Sequence, residues 1–449
     1  VDDPNGMLSL PAGFSYTIVS IAGTTSLVTG QKSPDRPDGT GAFRVGSGTR
    51  LVQNHELSPG AANPVPAIAG TVYDAGIRNA GGCTVIELGT DGSRHAEWVG
   101  LSGTISNCAG GVTPWDTWLT CEETEARAGT AFGANGIAAQ DHGWIFEVAP
   151  DESGRQYPQP IKAWGRYPHE AVVVMPDRRT VYLTEDASGP NGLFYRWTAP
   201  SGTRLRPGVL QRLEPDAGTL EALRVRNTDG TWVDDLSRFT SAHIGRELDV
   251  AWVMVPDRFA ATTSTRKQFA VPGEITRSKK LEGAWGDGDG VYFAASYAFH
   301  EDIPKSPGVS PHDGQIWYLD QRRQTLTLKA YFPWIRELHA PSPAGAWTPW
   351  TLEQQRTVPD VFDGPDNVHV TPWGGLVLAE DGVGLNGLIA WTEAAGAFRL
   401  ARNDILFQGT ENSEMTGPTF SPDGKVLFAN VQEPGHTFAI TGDFRSVFR

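Results

Sequence analysis

Three cysteines in 449 residues are too few, and odd in number, for a disulfide framework, so at most one bridge is open to the chain. Long apolar runs are also missing; the longest are strand-sized, far below the roughly 20 residues a membrane-spanning helix requires. Basic residues are scarce, 37 Lys and Arg against 52 Asp and Glu for a net charge of -15. With no basic run, a nucleic-acid footprint is excluded and cations become the natural partners. No GxSxG elbow, P-loop or HExxH helix is present, which leaves those hydrolase chemistries without a motif.

What the chain does have is a phrase in six copies, each an apolar strand running out into polar, mostly acidic residues. They are TRLVQNHE (49–56), TWLTCEE (117–123), TVYLTED (180–186), GVYFAAS (290–296), GLVLAED (375–381) and KVLFANVQ (425–432). Turns at Pro114, Pro176, Pro372 and Pro422 join four of them to a preceding strand, so these copies read as antiparallel hairpins. In that register Cys108, Glu170, Asp366 and Thr416 stand before the turn, and Glu122, Glu185, Glu380 and Asn430 after it, all at the hairpin's open end. Further strands such as CTVIEL (83–88), LFYRW (193–197) and LIAWT (388–392) flank the copies, and 15 Trp with 39% hydrophobic residues supply a core. Radial repetition of three or four strands predicts an all-β, six-bladed β-propeller as a single domain over 1–449. Uneven spacing places long insertions near 124–141, 200–248, 259–280 and 336–358. The early strand FSYTIVS (14–20) is expected beside HTFAITGDF (436–444), clasping the ring shut.

The inner strands of a propeller line one channel, so equivalent ends of different blades converge. Cys108, Glu122, Glu170, Glu185, Asp366 and Glu380 are therefore expected near one mouth, with Glu282 of LEGAWG as the fourth copy's counterpart of Glu170. Two like charges about 4 Å apart cost about 4 kcal/mol at an effective dielectric near 20. Several such pairs would exceed the stability of an ordinary domain. Protonation, pairing with basic residues or bound metal would relieve the repulsion, and bases near the copies are few, mainly Arg166, Lys279 and Lys280. Metal is the preferred reading: carboxylates suit a hard ion such as calcium, and a thiolate suits a transition metal such as iron. His55 with its neighbour Glu56, and His169, read as groups that orient a carboxylate rather than as ligands. Cys83 and Cys121 read as core thiols, and DGDG at 287–290 as a turn that lacks the rest of an EF-hand loop.

The stretch SGTISNCAGGVTPWDTWLTCEET (102–124), with HGWIFEV (142–148), GRYPHEAVVV (165–174) and VYLTEDASGPNGLFYRW (181–197), resembles the PhoX family of bacterial alkaline phosphatases. Weaker similarity runs through LEGAWG (281–286), DNVHVTPWGGLVLAEDG (366–382) and FSPDGKVLFANVQEPGHT (420–437). The resemblance implies a six-bladed propeller, secreted or periplasmic, that hydrolyses phosphate monoesters at a centre of Fe3+ and Ca2+. It implies Cys108, Glu170 and Glu282 for the iron-containing part, and Glu122, Glu185, Asp366, Asn367, Glu380 and Asp381 for the calcium part or its surroundings. The family places a phosphate-contacting Arg two residues before the position of Glu282. Here that residue is Lys280, which keeps the charge without the bidentate fork. Small phosphorylated substrates, no nucleic acid, no membrane span and a monomeric state complete the expectation. Its rivals are a calcium-only propeller hydrolase of phytase or lactonase type, and a non-catalytic binding propeller with structural calcium.

Overall fold

Wherever two apolar runs flank a tight turn, the chain forms a hairpin. Its inner strands are Pro37–Val45, Asn107–Val112, His169–Val174, Leu281–Gly286, Pro365–Val370 and Met415–Phe420. Their partners are Gly48–His55, Trp118–Glu122, Thr180–Glu185, Gly290–Phe299, Leu376–Glu380 and Val426–Val431. The computed structural model describes residues 3–90, 92–151, 158–299, 312–334, 339–341, 347–349, 362–382, 384–407 and 411–449. Most of the insertion expected at 336–358 lies outside these residues.

Each hairpin is extended outward by further antiparallel strands, and the architecture is all-β and propeller-like. The inner strands neighbour one another in chain order, and Met415–Phe420 returns to Pro37–Val45, so the circuit closes around a narrow channel. Closure is tied by the expected clasp: Ser15–Ile21 pairs with His436–Thr441, setting Ser15 opposite Thr441 and Ile18 opposite Phe438. Within the expected insertion 200–248, Thr219–Arg226 is the outer strand of the third sheet. It pairs with Glu247–Met254, which also pairs with Thr325–Phe332 of the fourth, fusing the two into one 11-stranded sheet. Among the described residues no helix is long and apolar enough to cross a membrane.

A β-bulge recurs at the same place in all six hairpins. The register breaks between Pro37 and Thr40, Asn107 and Gly110, His169 and Val172, Leu281 and Ala284, Pro365 and Val368, and Thr416 and Thr419. Two residues of the inner strand thus oppose one on its partner, which re-aims the side chains there. Gly39 and Gly283 occupy two of these bulges because the inner strands nearly touch. A Cβ on Gly39 would lie 2.7 Å from the Cys108 carbonyl oxygen, and one on Gly283 would lie 2.8 Å from Cα of Asn367.

Candidate metal centre

The first bulge residue of successive hairpins is Asp38, Cys108, Glu170, Glu282, Asp366 and Gly417. The ring therefore carries five ionisable side chains at one level, and the sixth hairpin breaks the series. Its return from Thr419 to Phe428 is one residue shorter than that from Val368 to Leu378 in the fifth, which shifts the equivalent of Asp366 from Thr416 to Gly417. Thr416 instead donates its hydroxyl to the Pro37 carbonyl at 2.8 Å.

Potential ligand atoms gather in three overlapping groups, each lying within 4.8 Å: Cys108, Glu123 and Glu170; Glu170, Glu282 and Asp366; Asp366, Asp381 and Glu414. Glu170 and Asp366 are shared, so the groups form one continuous arc. Cys108, Glu170 and Glu282 are buried, Glu123, Asp366 and Glu414 half-buried, and Asp381 is open to solvent. Beyond Glu414 the acidic lining continues to Asp38 and Glu56, which share the Gln432 carboxamide: Nε2 donates to each at 2.9 Å.

Burial, followed by the charges of Asp366, Glu282 and Glu123, pushes the Glu170 carboxyl well above its usual range. Burial and then Glu170 push the Cys108 thiol up in the same way. Asp366, Glu123, Glu414 and Asp38 are all raised, again by burial first and neighbouring carboxylates second. Glu282 is pushed up to about 7 by burial and by Asp186, against the pull of Lys280. Cations counter this at only a few points. Lys280 Nζ sits 2.9 Å from Asp186 and 3.0 Å from Glu282, and Arg36 Nη2 sits 3.0 Å from Glu56. Among the described residues, the buried Oδ1 of Asp186 has no hydrogen-bond partner. One thiol and many carboxylates packed this closely, with too few donors, match the donor set for a transition metal beside a hard cation.

Of the residues expected at the mouth from sequence, the structure brings together Cys108, Glu170, Glu282, Asp366 and Asp381. Asn367 lies beside them, its Nδ2 donating to Asp366 Oδ1 at 2.9 Å and its Oδ1 accepting from the Gly417 amide at 2.6 Å. Glu122, Glu185 and Glu380 are turned to the opposite face. Glu122 accepts from His142 at 2.6 Å and from the amides of Ile105, Gly143 and Trp144. Glu185 meets Arg266 at 2.9 Å and the Tyr195 hydroxyl at 2.7 Å. Glu380 meets Arg399 at 3.4 Å and the Asp363 amide at 2.8 Å. The reason is register: these three pair with Asn107, His169 and Pro365, the residues just before each bulge. Strand alternation then turns the next residue, Glu123, Asp186 or Asp381, toward the mouth.

His55 and His169 orient no mouth carboxylate. His55 is bonded to the Asp35 carbonyl and the Thr84 hydroxyl, and His169 Nε2 to the Gly165 carbonyl; burial lowers their pKa values to about 4 and about 3. The His169 carbonyl does meet the site, accepting from the Cys108 thiol at 3.3 Å. Glu56 is part of the lining itself. Residues that counting from the turns missed are Asp38, Glu123, Asp186 and Glu414; the acidic pairs at 122–123 and 185–186 were the available signal for two of them.

Residues 1–435 match the family model described as alkaline phosphatase PhoX. Among solved structures, Pseudomonas fluorescens PhoX in complex with vanadate, a transition state analogue, superposes with a TM-score of 0.64 at 18% identity, covering 98% of this chain and 96% of that one. XC5397 from Xanthomonas campestris, a gluconolactonase, is far less similar: TM-score 0.36, 13% identity, covering 96% of each chain. No curated protein matches in sequence.

Proposed function

The chain belongs to the alkaline phosphatase PhoX family, whose members are phosphoric monoester hydrolases, and from that premise we propose that its acidic mouth hydrolyses phosphate monoesters with bound Fe3+ and Ca2+. The observation that carries the reading is the arc of three overlapping ligand groups. Its thiol end, Cys108 with Glu123, Glu170 and Glu282, suits iron, and its all-oxygen end, Asp366, Asp381 and Glu414, suits calcium. Bound there, the cations would polarise phosphoryl oxygens and offset the repulsion between an acidic mouth and an anionic substrate. Lys280, held between Asp186 and Glu282, is the phosphate contact in this reading; it offers a point charge in place of a guanidinium fork. Asn367 fixes the Asp366 carboxylate against the neighbouring hairpin. A six-bladed ring, export from the cytoplasm and a monomeric state belong to the same reading.

Elemental analysis of the purified protein tests it. Iron and calcium are both expected, with a visible absorption band that disappears in Cys108→Ser. Calcium alone would favour the calcium-only hydrolase, and metal-replete protein unable to turn over p-nitrophenyl phosphate would leave only a binding role.

A further inference from the structure

The hairpins repeat a second feature besides the bulge. Two residues before the first bulge residue, the backbone turns left-handed at Arg36 (φ 47°), Ser106 (φ 49°), Lys280 (φ 52°) and Gly364 (φ 56°), which precede Asp38, Cys108, Glu282 and Asp366. Arg36 is thus the repeat counterpart of Lys280. One immediately precedes the first inner strand and the other the fourth, three steps apart either way around the circuit and so on opposite sides of the mouth.

The two positions differ in what surrounds them. Lys280 Nζ is committed to Asp186 and Glu282. Arg36 Nε donates to Gln432 Oε1 at 2.7 Å and lies 3.8 Å from Glu433 Oε1, and Nη2 pairs with Glu56 at 3.0 Å, while Nη1 makes no bond among the described residues and the side chain is 37% exposed. A half-exposed ion pair returns little stability, and a left-handed backbone strains any residue with a Cβ. Gly364 shows that the repeat accepts glycine at this position. An arginine kept there against strain, with one edge of its fork open at the mouth, is placed for a ligand.

We propose that Arg36 binds a second anionic group on the substrate, so that the enzyme favours phosphate esters carrying a further phosphate or carboxylate over those with one anionic group. The proposal rests on the phosphatase reading above. The ester's own phosphate lies at Lys280 and the metals, and the second oxyanion takes the fork of Arg36, whose planar donors match phosphate or carboxylate.

The test compares kcat/KM for fructose 1,6-bisphosphate, 2-phosphoglycolate and p-nitrophenyl phosphate in the parent, Arg36→Gln and Arg36→Lys. Arg36→Gln is expected to lower the preference for a doubly anionic substrate over p-nitrophenyl phosphate about tenfold, through KM, with Arg36→Lys in between. A drop in either arm supports the proposal and shows whether phosphate or carboxylate is read. Calorimetric binding of pyrophosphate against phosphate supplies a readout independent of turnover, and the same ratio must fall. If both ratios stay at parental values in variants whose melting temperature and metal content match the parent, Arg36 is only a structural ion-pair partner. Failure of the parent to hydrolyse p-nitrophenyl phosphate would instead sink the phosphatase reading, and the calorimetric ratio would still decide the role of Arg36.

Discussion

At three hairpin ends two acidic residues stand side by side and meet opposite fates. Glu122, Glu185 and Glu380 turn outward, each into a built receptor of His142 and amides, Arg266 and a tyrosine, or Arg399 and an amide. Glu123, Asp186 and Asp381 turn inward, where Glu123 faces Asp186, Glu56 and Glu282, and Lys280 is the one close cation among the described residues, 2.9 Å from Asp186. Composition cannot separate the two rows, because both are carboxylates at the ends of the same strands or one residue beyond them. Satisfaction separates them. The outward row has its donors within the protein and holds the blades, while the inward row shares little more than Lys280 among the described residues and calls for cations from outside.

The largest effect expected from that contrast is on the residue the arc shares. Glu170→Ala removes a ligand from two of the three groups at once. Metal contributes several kcal/mol of charge stabilisation, so kcat for p-nitrophenyl phosphate should fall on the order of a thousandfold, with loss of iron. Retained iron and near-parental turnover would move the site elsewhere in the mouth. The outward row should answer differently. Among the described residues, Glu185→Ala leaves Arg266 with Glu125 alone as a carboxylate partner and the Tyr195 hydroxyl without its Glu185 acceptor. Breaking such a buried pair costs about 3–5 kcal/mol. Urea denaturation should register that loss while elemental analysis still finds parental iron and calcium. If metal leaves and stability stays, the two rows have been assigned the wrong way round.

Much of this was legible in the sequence, and the gaps have physical causes. The all-β repeat and the clasp of FSYTIVS follow from alternation and turn residues, which are local signals. Cys108, Glu170 and Asp366 follow from counting back from the turn prolines. The same counting carried forward lands on Glu122, Glu185 and Glu380, one residue short of the inward side chains, because the bulge places the carboxylate-bearing residue out of phase with its paired neighbour. Nothing local announces a bulge: its glycines are needed only because a neighbouring inner strand passes within 3 Å of where a Cβ would stand. Asp38 was missed because the first hairpin turns at VGSG (45–48) without a proline to count from, and Glu414 because it precedes its strand and substitutes for a position that became Gly417.

The smallest effect is a titration that reads both rows together. Glu282, which faces the mouth from its bulge beside the inward row, and Glu185 and Glu380 of the outward row are each raised from 4.5 to about 7, by burial first. A carboxyl whose folded pKa lies above its unfolded value binds more protons folded than unfolded in the window between them, so unfolding releases protons there and stability falls as pH rises. The contribution is fully present below about 4.5 and is lost as pH climbs through about 7, roughly 3 kcal/mol for each group. Metal-free protein should therefore melt at a progressively lower temperature between pH 4.5 and 7.5. In the proposed reading calcium and iron would stabilise the ionised form of the mouth carboxylates alone, so adding them should remove the share of Glu282 and leave that of Glu185 and Glu380. Glu185→Gln should reduce the remaining slope in loaded protein, whereas a slope that metal abolishes completely would mean the outward carboxylates also answer to the bound ions.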